Sequence, residues 1–224
     1  MLTILHQVYC DMTYGSKGWI LIARFANTDI PQWLDDTGDW WYDKTEPEGD
    51  TTDPSINADM ISPAFWLLSG NEFKVTRNDD SRHTALLQTT GDCLGGQTFR
   101  SKIASYGDFR NGAPYAGGHC LGNCVVQYDG QYKTTIGFEW ASCNGSRQFY
   151  NYVGFWCAYG AGGSVMMFGG GGHGCGGAFH GIAVTGSFTS YFVSAPGRPE
   201  IDFAAHPWFT TASYAFNLWI RGEH

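Results

Sequence analysis

GAGGSVMMFGGGGHGCGGAFHGIAV, Gly160 to Val184, sets two glycine clusters around a short apolar strand, Val165 to Phe168. Two histidines and a cysteine sit in or just after the second cluster. Glycine loses more conformational freedom on folding than any other residue. A folded chain therefore keeps such a run where backbone turns sharply or lies close against something else. Two readings follow. With aromatics on both sides, the segment is the backbone of a ligand-contacting surface; alternatively, it is tight packing beneath a loop.

Outward from this segment the chain reads as strands. WILIARFA (Trp19 to Ala26) has the composition of a buried strand, and EFKVTRND (Glu72 to Asp79) alternates with Phe73 and Val75 on one face. TALLQTT, TTIGFEWA, YVGFWCAY, SVMMF, GIAVTG and YAFNLWIR are further strands, punctuated by glycine, asparagine and proline. Helical signal is confined to SPAFWLLSG (Ser62 to Gly70), a turn with Ser62 as cap and Pro63 at its first position. The expected class is α+β, β-rich and loop-rich, with few short helices. The 224 residues form one domain over 1–224, without internal repeat or linker.

Bulk chemistry narrows the function. Only 15% of residues are charged and 16% are aromatic, which suits a loop-rich β protein over a helical bundle. The formal charge of −8 and the lack of any basic run argue against nucleic acid and anionic lipid as partners. No apolar window approaches the length of a membrane span, so no membrane insertion is expected. The acidity is uneven: ten carboxylates and one cation, Lys44, lie between Asp29 and Asp59. With Pro31, Pro47 and Pro54, this reads as a long acidic loop over about 27–59, either a solvated insertion or a calcium-bound loop.

Seven cysteines (Cys10, Cys93, Cys120, Cys124, Cys143, Cys157 and Cys175) point to an oxidising compartment. Cys120 and Cys124 enclose LGN, a gap suited to a local loop, and Cys143 with Cys157 would staple a hairpin. The odd count leaves one cysteine free or intermolecular. Zinc is disfavoured because no C-x-x-C pair occurs. MLTILHQ is too short and uncharged for a signal peptide, so we expect the end of a longer protein or export by another route.

VYCDMTYGSKGWILIARF, Val8 to Phe25, resembles the opening of the fibrinogen C-terminal-like domain, where a Tyr/Phe-Cys-Asp-Met run leads through a glycine turn to a tryptophan-bearing strand. FKVTRNDD and YAFNLWIRG (Tyr214 to Gly222) sit where that family has strands. Cys157 followed by Gly169 to Gly172 resembles the intelectin branch. GDCLGG, GFWC and VMM-x-GGGG resemble most closely the fibrinogen-like tips of phage tail fibres and bacterial surface fibres. The resemblance covers nearly the whole chain. It implies an extracellular or virion-surface recognition domain, a homotrimer at the end of a longer fibre protein, that binds a cell-surface glycan or surface protein.

The departures bear on calcium. Ficolin-like members of the family hold it on an Asp-x-Asp loop that this chain lacks. Intelectins use a His before and a Glu after the glycine run, places taken here by Val165 to Phe168 and by His173 to Gly176. Calcium stays a candidate cofactor, with Asn144 near an intelectin ligand position and Glu200 and Asp202 two apart on one strand face.

Sugars are held by aromatic faces and a few fixed polar groups. The distal half supplies Trp156, Tyr159, Phe179, Tyr191 and Trp208 near His173, His180, Arg198 and His206, and these form the expected ligand site. Catalytic patterns are thin. Gly169, Gly171 and Gly174 fit G-x-G-x-x-G without a β-α-β context, and neither a phosphate loop nor a G-x-S-x-G elbow occurs. The expected function is adhesion to a surface glycan, not catalysis. The alternatives are a protein-binding or structural cap of a trimeric fibre, and a metal-dependent hydrolase on His173, Cys175 and His180.

Overall fold

A computed structural model of the chain describes residues 7–13, 18–26, 43–109, 120–129, 152–159, 164–170, 180–185 and 214–222. The described residues are strand-rich with two short helices. In chain order they form β1 (Cys10–Asp11), β2 (Trp19–Ala26), β3 (Met60–Ile61), α1 (Ala64–Leu67), β4 (Ser69–Gly70), β5 (Glu72–Arg77), β6 (Leu87–Thr89) and β7 (Gln97–Thr98). There follow α2 (Phe99–Ala104), β8 (Leu121–Tyr128), β9 (Tyr152–Tyr159), β10 (Ser164–Gly170), β11 (His180–Thr185) and β12 (Ala215–Arg221).

Ten strands make one antiparallel sheet in the order β1-β2-β12-β5-β6-β8-β9-β10-β11, with β3 added on β2; β4 and β7 form a separate pair. The last strand thus lies inside the sheet, flanked by β2 and β5. Its side chains alternate as a strand buried on both faces must. Phe216, Leu218 and Ile220 enter the main core, where Phe73, Phe99, Phe155 and Phe168 pack edge to face. Trp219 points the other way, into a smaller cluster with Trp19, Leu21 and Met60.

That second face is polar as well as buried. Register aligns Arg24, Asn217 and Thr76 in one cross-strand row, and Leu21, Trp219 and Lys74 in the next. The Trp219 indole N–H donates to Thr76 Oγ1 at 2.8 Å. Lys74 pairs with Asp11 of β1 at 3.3 Å, with side chains only 5% and 2% exposed, and its ammonium lies 5.0 and 5.2 Å from the rings of Trp19 and Trp219. Burial pulls the Lys74 ammonium below its usual range, while Asp11 supports its charge.

Arg24, fully buried, fastens the acidic segment to this face. Its Nε donates to the Ala58 carbonyl at 2.6 Å, Nη1 to Asp53 at 2.7 Å and Nη2 to Asp50 at 3.2 Å. Asn217 Nδ2 donates to Pro54 O at 2.8 Å, Asn78 Nδ2 to Ser55 O at 3.0 Å, and the Ala26 N–H to Asp59 Oδ1 at 2.7 Å. A wholly solvated insertion is therefore not what residues 50–59 form. Their carbonyls cover the sheet, while carboxylates such as Asp50 stay at the surface.

Other local expectations need correction. Cys120 and Cys124 do not bridge each other. Among the described residues the disulfides are Cys93–Cys124 and Cys120–Cys157. LGNCVVQY is strand β8, not a local loop, and strand residues four apart lie roughly 13 Å apart, beyond disulfide reach. Cys157 is taken by Cys120, so it does not pair with Cys143, which lies outside the described residues together with Cys175. Cys10 is free and exposed. Ser62 does not cap α1; its hydroxyl donates to the Leu21 carbonyl at 3.2 Å. A second helix, α2, starts at Thr98, whose hydroxyl accepts the Ser101 N–H at 3.0 Å. TTIGFEWA lies outside the described residues, and TALLQTT contributes only β6.

Candidate functional site

The glycine-rich segment contributes β10 and the start of β11. Gly154, Gly170 and Gly181 have no room for a side chain. A Cβ at Gly170 would strike the Tyr128 hydroxyl and the Tyr152 carbonyl, and one at Gly181 the Phe168 carbonyl. For these described positions, close backbone approach accounts for glycine without a ligand.

Three of the expected ligand residues, Trp156, Tyr159 and His180, fall in described strands. Trp156 is not a surface aromatic. It is fully buried, its indole N–H donates to the Ile103 carbonyl at 2.8 Å, and its ring packs 5.7 Å from Phe109. Its φ of +50° is left-handed, a conformation a bulky residue keeps only when its surroundings enforce it. Register sets Tyr159 opposite Ser164, and His180 opposite Gly170. These positions lie at opposite ends of β10, six residues or roughly 20 Å apart along the strand. His173, Phe179, Tyr191, Arg198, His206 and Trp208 lie outside the described residues, as do the calcium candidates Asn144, Glu200 and Asp202. Among the described residues no three His, Cys, Asp or Glu side chains gather closely enough to hold a metal ion.

A concave surface does exist elsewhere. Cys93 and Cys124, joined by their disulfide, help line an open groove of about 280 Å³ between the turn after β6, α2 and β8. One wall is Tyr106. Its ring stacks on Phe155 at 5.4 Å and 21°, and the Lys102 ammonium lies 5.4 Å from the ring centroid. The Tyr106 hydroxyl fits because Gly122, at φ +71°, has no side chain; a Cβ there would lie 2.5 Å from that oxygen. Opposite, Asp92 Oδ1 accepts from Asn71 Nδ2 at 2.7 Å and from the Gly95 N–H at 3.0 Å, which shapes the turn. Val125, 47% exposed, adds an apolar surface, and its carbonyl accepts the Thr90 N–H at 2.9 Å.

None of the groove residues carried an expected ligand role: GDCLGG, which holds Asp92 and Cys93, stood out only as a resemblance to fibre tips, and Lys102 and Tyr106 were passed over. The available signal was the Thr98 cap with Phe99 and Ile103 four apart, a one-and-a-half-turn amphipathic helix too short to register as periodicity.

A second cluster joins Tyr9, His83 and Trp219. The His83 ring lies 5.2 Å from Trp219 and 5.8 Å from Tyr9, and the Tyr9 hydroxyl is 3.5 Å from Nε2. Burial lowers the His83 pKa, as does Lys74, against the opposing pull of Asp11 and Asp80. The cluster fastens the N-terminal segment to the sheet. Set against known proteins, the chain matches no family model and no curated sequence.

Proposed function

We propose that this protein is an extracellular recognition domain that binds a cell-surface glycan, carried as a homotrimer at the end of a fibre. The observation that carries the reading is the groove beside Cys93–Cys124. A disulfide, a capped helix and a stacked tyrosine hold a small polar concavity in one shape, and preorganisation of that kind favours weakly bound polar ligands. Two further features support it. The stretches that resemble the fibrinogen-like family, Val8 to Phe25, Phe73 to Asp80 and Tyr214 to Gly222, fold side by side as β1-β2-β12-β5. Two disulfides are compatible with life outside the cell, and no helix of the described residues is long and apolar enough to cross a membrane.

The test is a glycan array probed with the multimerised chain, with and without chelator. Selective retention on a set of related glycans is the expected result. Failure to retain any glycan, at densities where multivalency adds about 10²–10⁴ in avidity, overturns the reading. Light scattering of the purified protein at micromolar concentration tests assembly, and a monomer there removes the trimer.

A further inference from the structure

We propose, resting on the glycan reading, that the groove beside Cys93–Cys124 takes a sugar unit bearing a single anionic group, and that Lys102 is the residue that selects it. The argument starts from charge. The protein carries a formal −8, and the buried cations among the described residues are engaged: Lys74 with Asp11, Arg24 with three carbonyls. Lys102 differs. It lines the groove, it forms no ion pair among the described residues, and its polar head is held over the Tyr106 ring at 5.4 Å. An ammonium is a compact point charge with three donors and no acceptor, and the complement it lacks is an anion.

The rest of the groove matches a sugar ring better than a bare anion. Asp92 and Thr90 supply polar partners for ring hydroxyls, and Val125 supplies an apolar contact for C–H edges. The volume of about 280 Å³ falls just below the roughly 300–1,000 Å³ typical of ligand pockets, which limits the occupant to one small unit. The position of Lys102 is built into the fold. α2 is capped by Thr98, and Tyr106 is fixed between Phe155 and the gap left by Gly122. A wandering surface lysine would confer little selectivity; one set over a fixed ring in a rigid groove confers more.

NMR titration of the isotope-labelled chain with glucose, glucuronate and glucose 6-sulfate tests this, alongside an array carrying neutral and acidic glycans. We expect shifts around Lys102, Tyr106 and Val125 with the acidic sugars and not with glucose; the relative response to glucuronate and sulfate identifies which anion is preferred. Lys102→Gln keeps a donor and loses the charge, so affinity should fall on the order of ten- to a hundredfold. Lys102→Arg should restore most of it, and thermal melting confirms that both variants fold. Equal binding of glucose, or acidic-sugar binding untouched in Lys102→Gln, overturns the inference and leaves glycan recognition standing. If the array retains no glycan of either kind, both fall together.

Discussion

Replacing the cysteines in pairs separates two contributions that the fold assigns differently. Closing loops of sequence separation 31 and 37 removes nearly the same entropy from the unfolded chain, about 3.7 and about 3.8 kcal/mol respectively at 25 °C. On chain entropy alone, Cys93→Ala/Cys124→Ala and Cys120→Ala/Cys157→Ala should be equally damaging. Packing breaks the tie. Cys93 and Cys124 are slightly exposed, at 8% and 7%, and border the open groove, so water fills part of the space their sulfurs leave. Cys120 and Cys157 are fully buried, packed against the Gly169 carbonyl, and truncation there leaves a void. We therefore expect a loss of about 3–4 kcal/mol for the first pair and a clearly larger one for the second. Urea unfolding followed by tryptophan fluorescence measures both, and the slope should rise in each variant because the unfolded chain expands. An equal or smaller loss for Cys120/Cys157 refutes the packing argument; a loss under about 1 kcal/mol in either pair refutes the connectivity.

Further consequences can be checked on the same curves. Lys74→Met should cost about 3–5 kcal/mol because it strands a buried Asp11 carboxylate, and adding Asp11→Asn should recover most of that; a non-recovering double variant would show that the tryptophan contacts, not the pair, carry the site. Stability should fall on acidification in two windows. His83 sits below its ordinary 6.5, so its contribution is intact above that value and is lost as pH drops through the folded-state pKa; His83→Gln should flatten that window. For Asp11, burial pushes the carboxyl up but hydrogen bonds from Thr13 and the Lys74 charge outweigh it, so its contribution is lost only below 3.8, and Asp11→Asn should shrink that lower step, which Asp50, Asp53, Asp79 and Asp80, also held low, share. Arg24→Met leaves three carbonyls without their donors and should cost on the order of 3–5 kcal/mol, with protease cleavage appearing first within residues 50–59; an uncut segment would mean that Asn78 and Asn217 suffice to hold it.

Most long strands were legible because each carries its own signal. WILIARFA, EFKVTR, YVGFWCAY and AFNLWIR are rich in β-branched and aromatic residues, and they became β2, β5, β9 and β12. LGNCVVQY was lost because glycine, asparagine and a flanking cysteine pair mimic a turn; its Gly122 is at φ +71° beside a register shift in the β8–β9 pairing. The groove was not legible as a site. GDCLGG stood out only as a resemblance, and Lys102 and Tyr106 reach the groove through a helix of six residues, too short to show periodicity. Trp156 was misplaced for a related reason. An aromatic beside glycine suits a ligand face or a core equally well, and only the Ile103 carbonyl waiting opposite its indole decides.

Composition and periodicity by themselves determined the class: a strand-rich, acidic, cysteine-bearing chain with little helix. These are sums over residues or patterns of period two, and both survive without knowledge of the partner strand. Strand order, cysteine partners and the fate of the acidic segment belong to the tertiary structure. β12 lies between β2 and β5 because its Phe216, Leu218 and Ile220 complete one face while Asn217 and Trp219 complete the other. Arg24, an ordinary cation in a strand sequence, gathers carbonyls that lie 26 to 34 residues away. Such pairings depend on which groups are left unsatisfied once distant segments meet, and no local pattern encodes that.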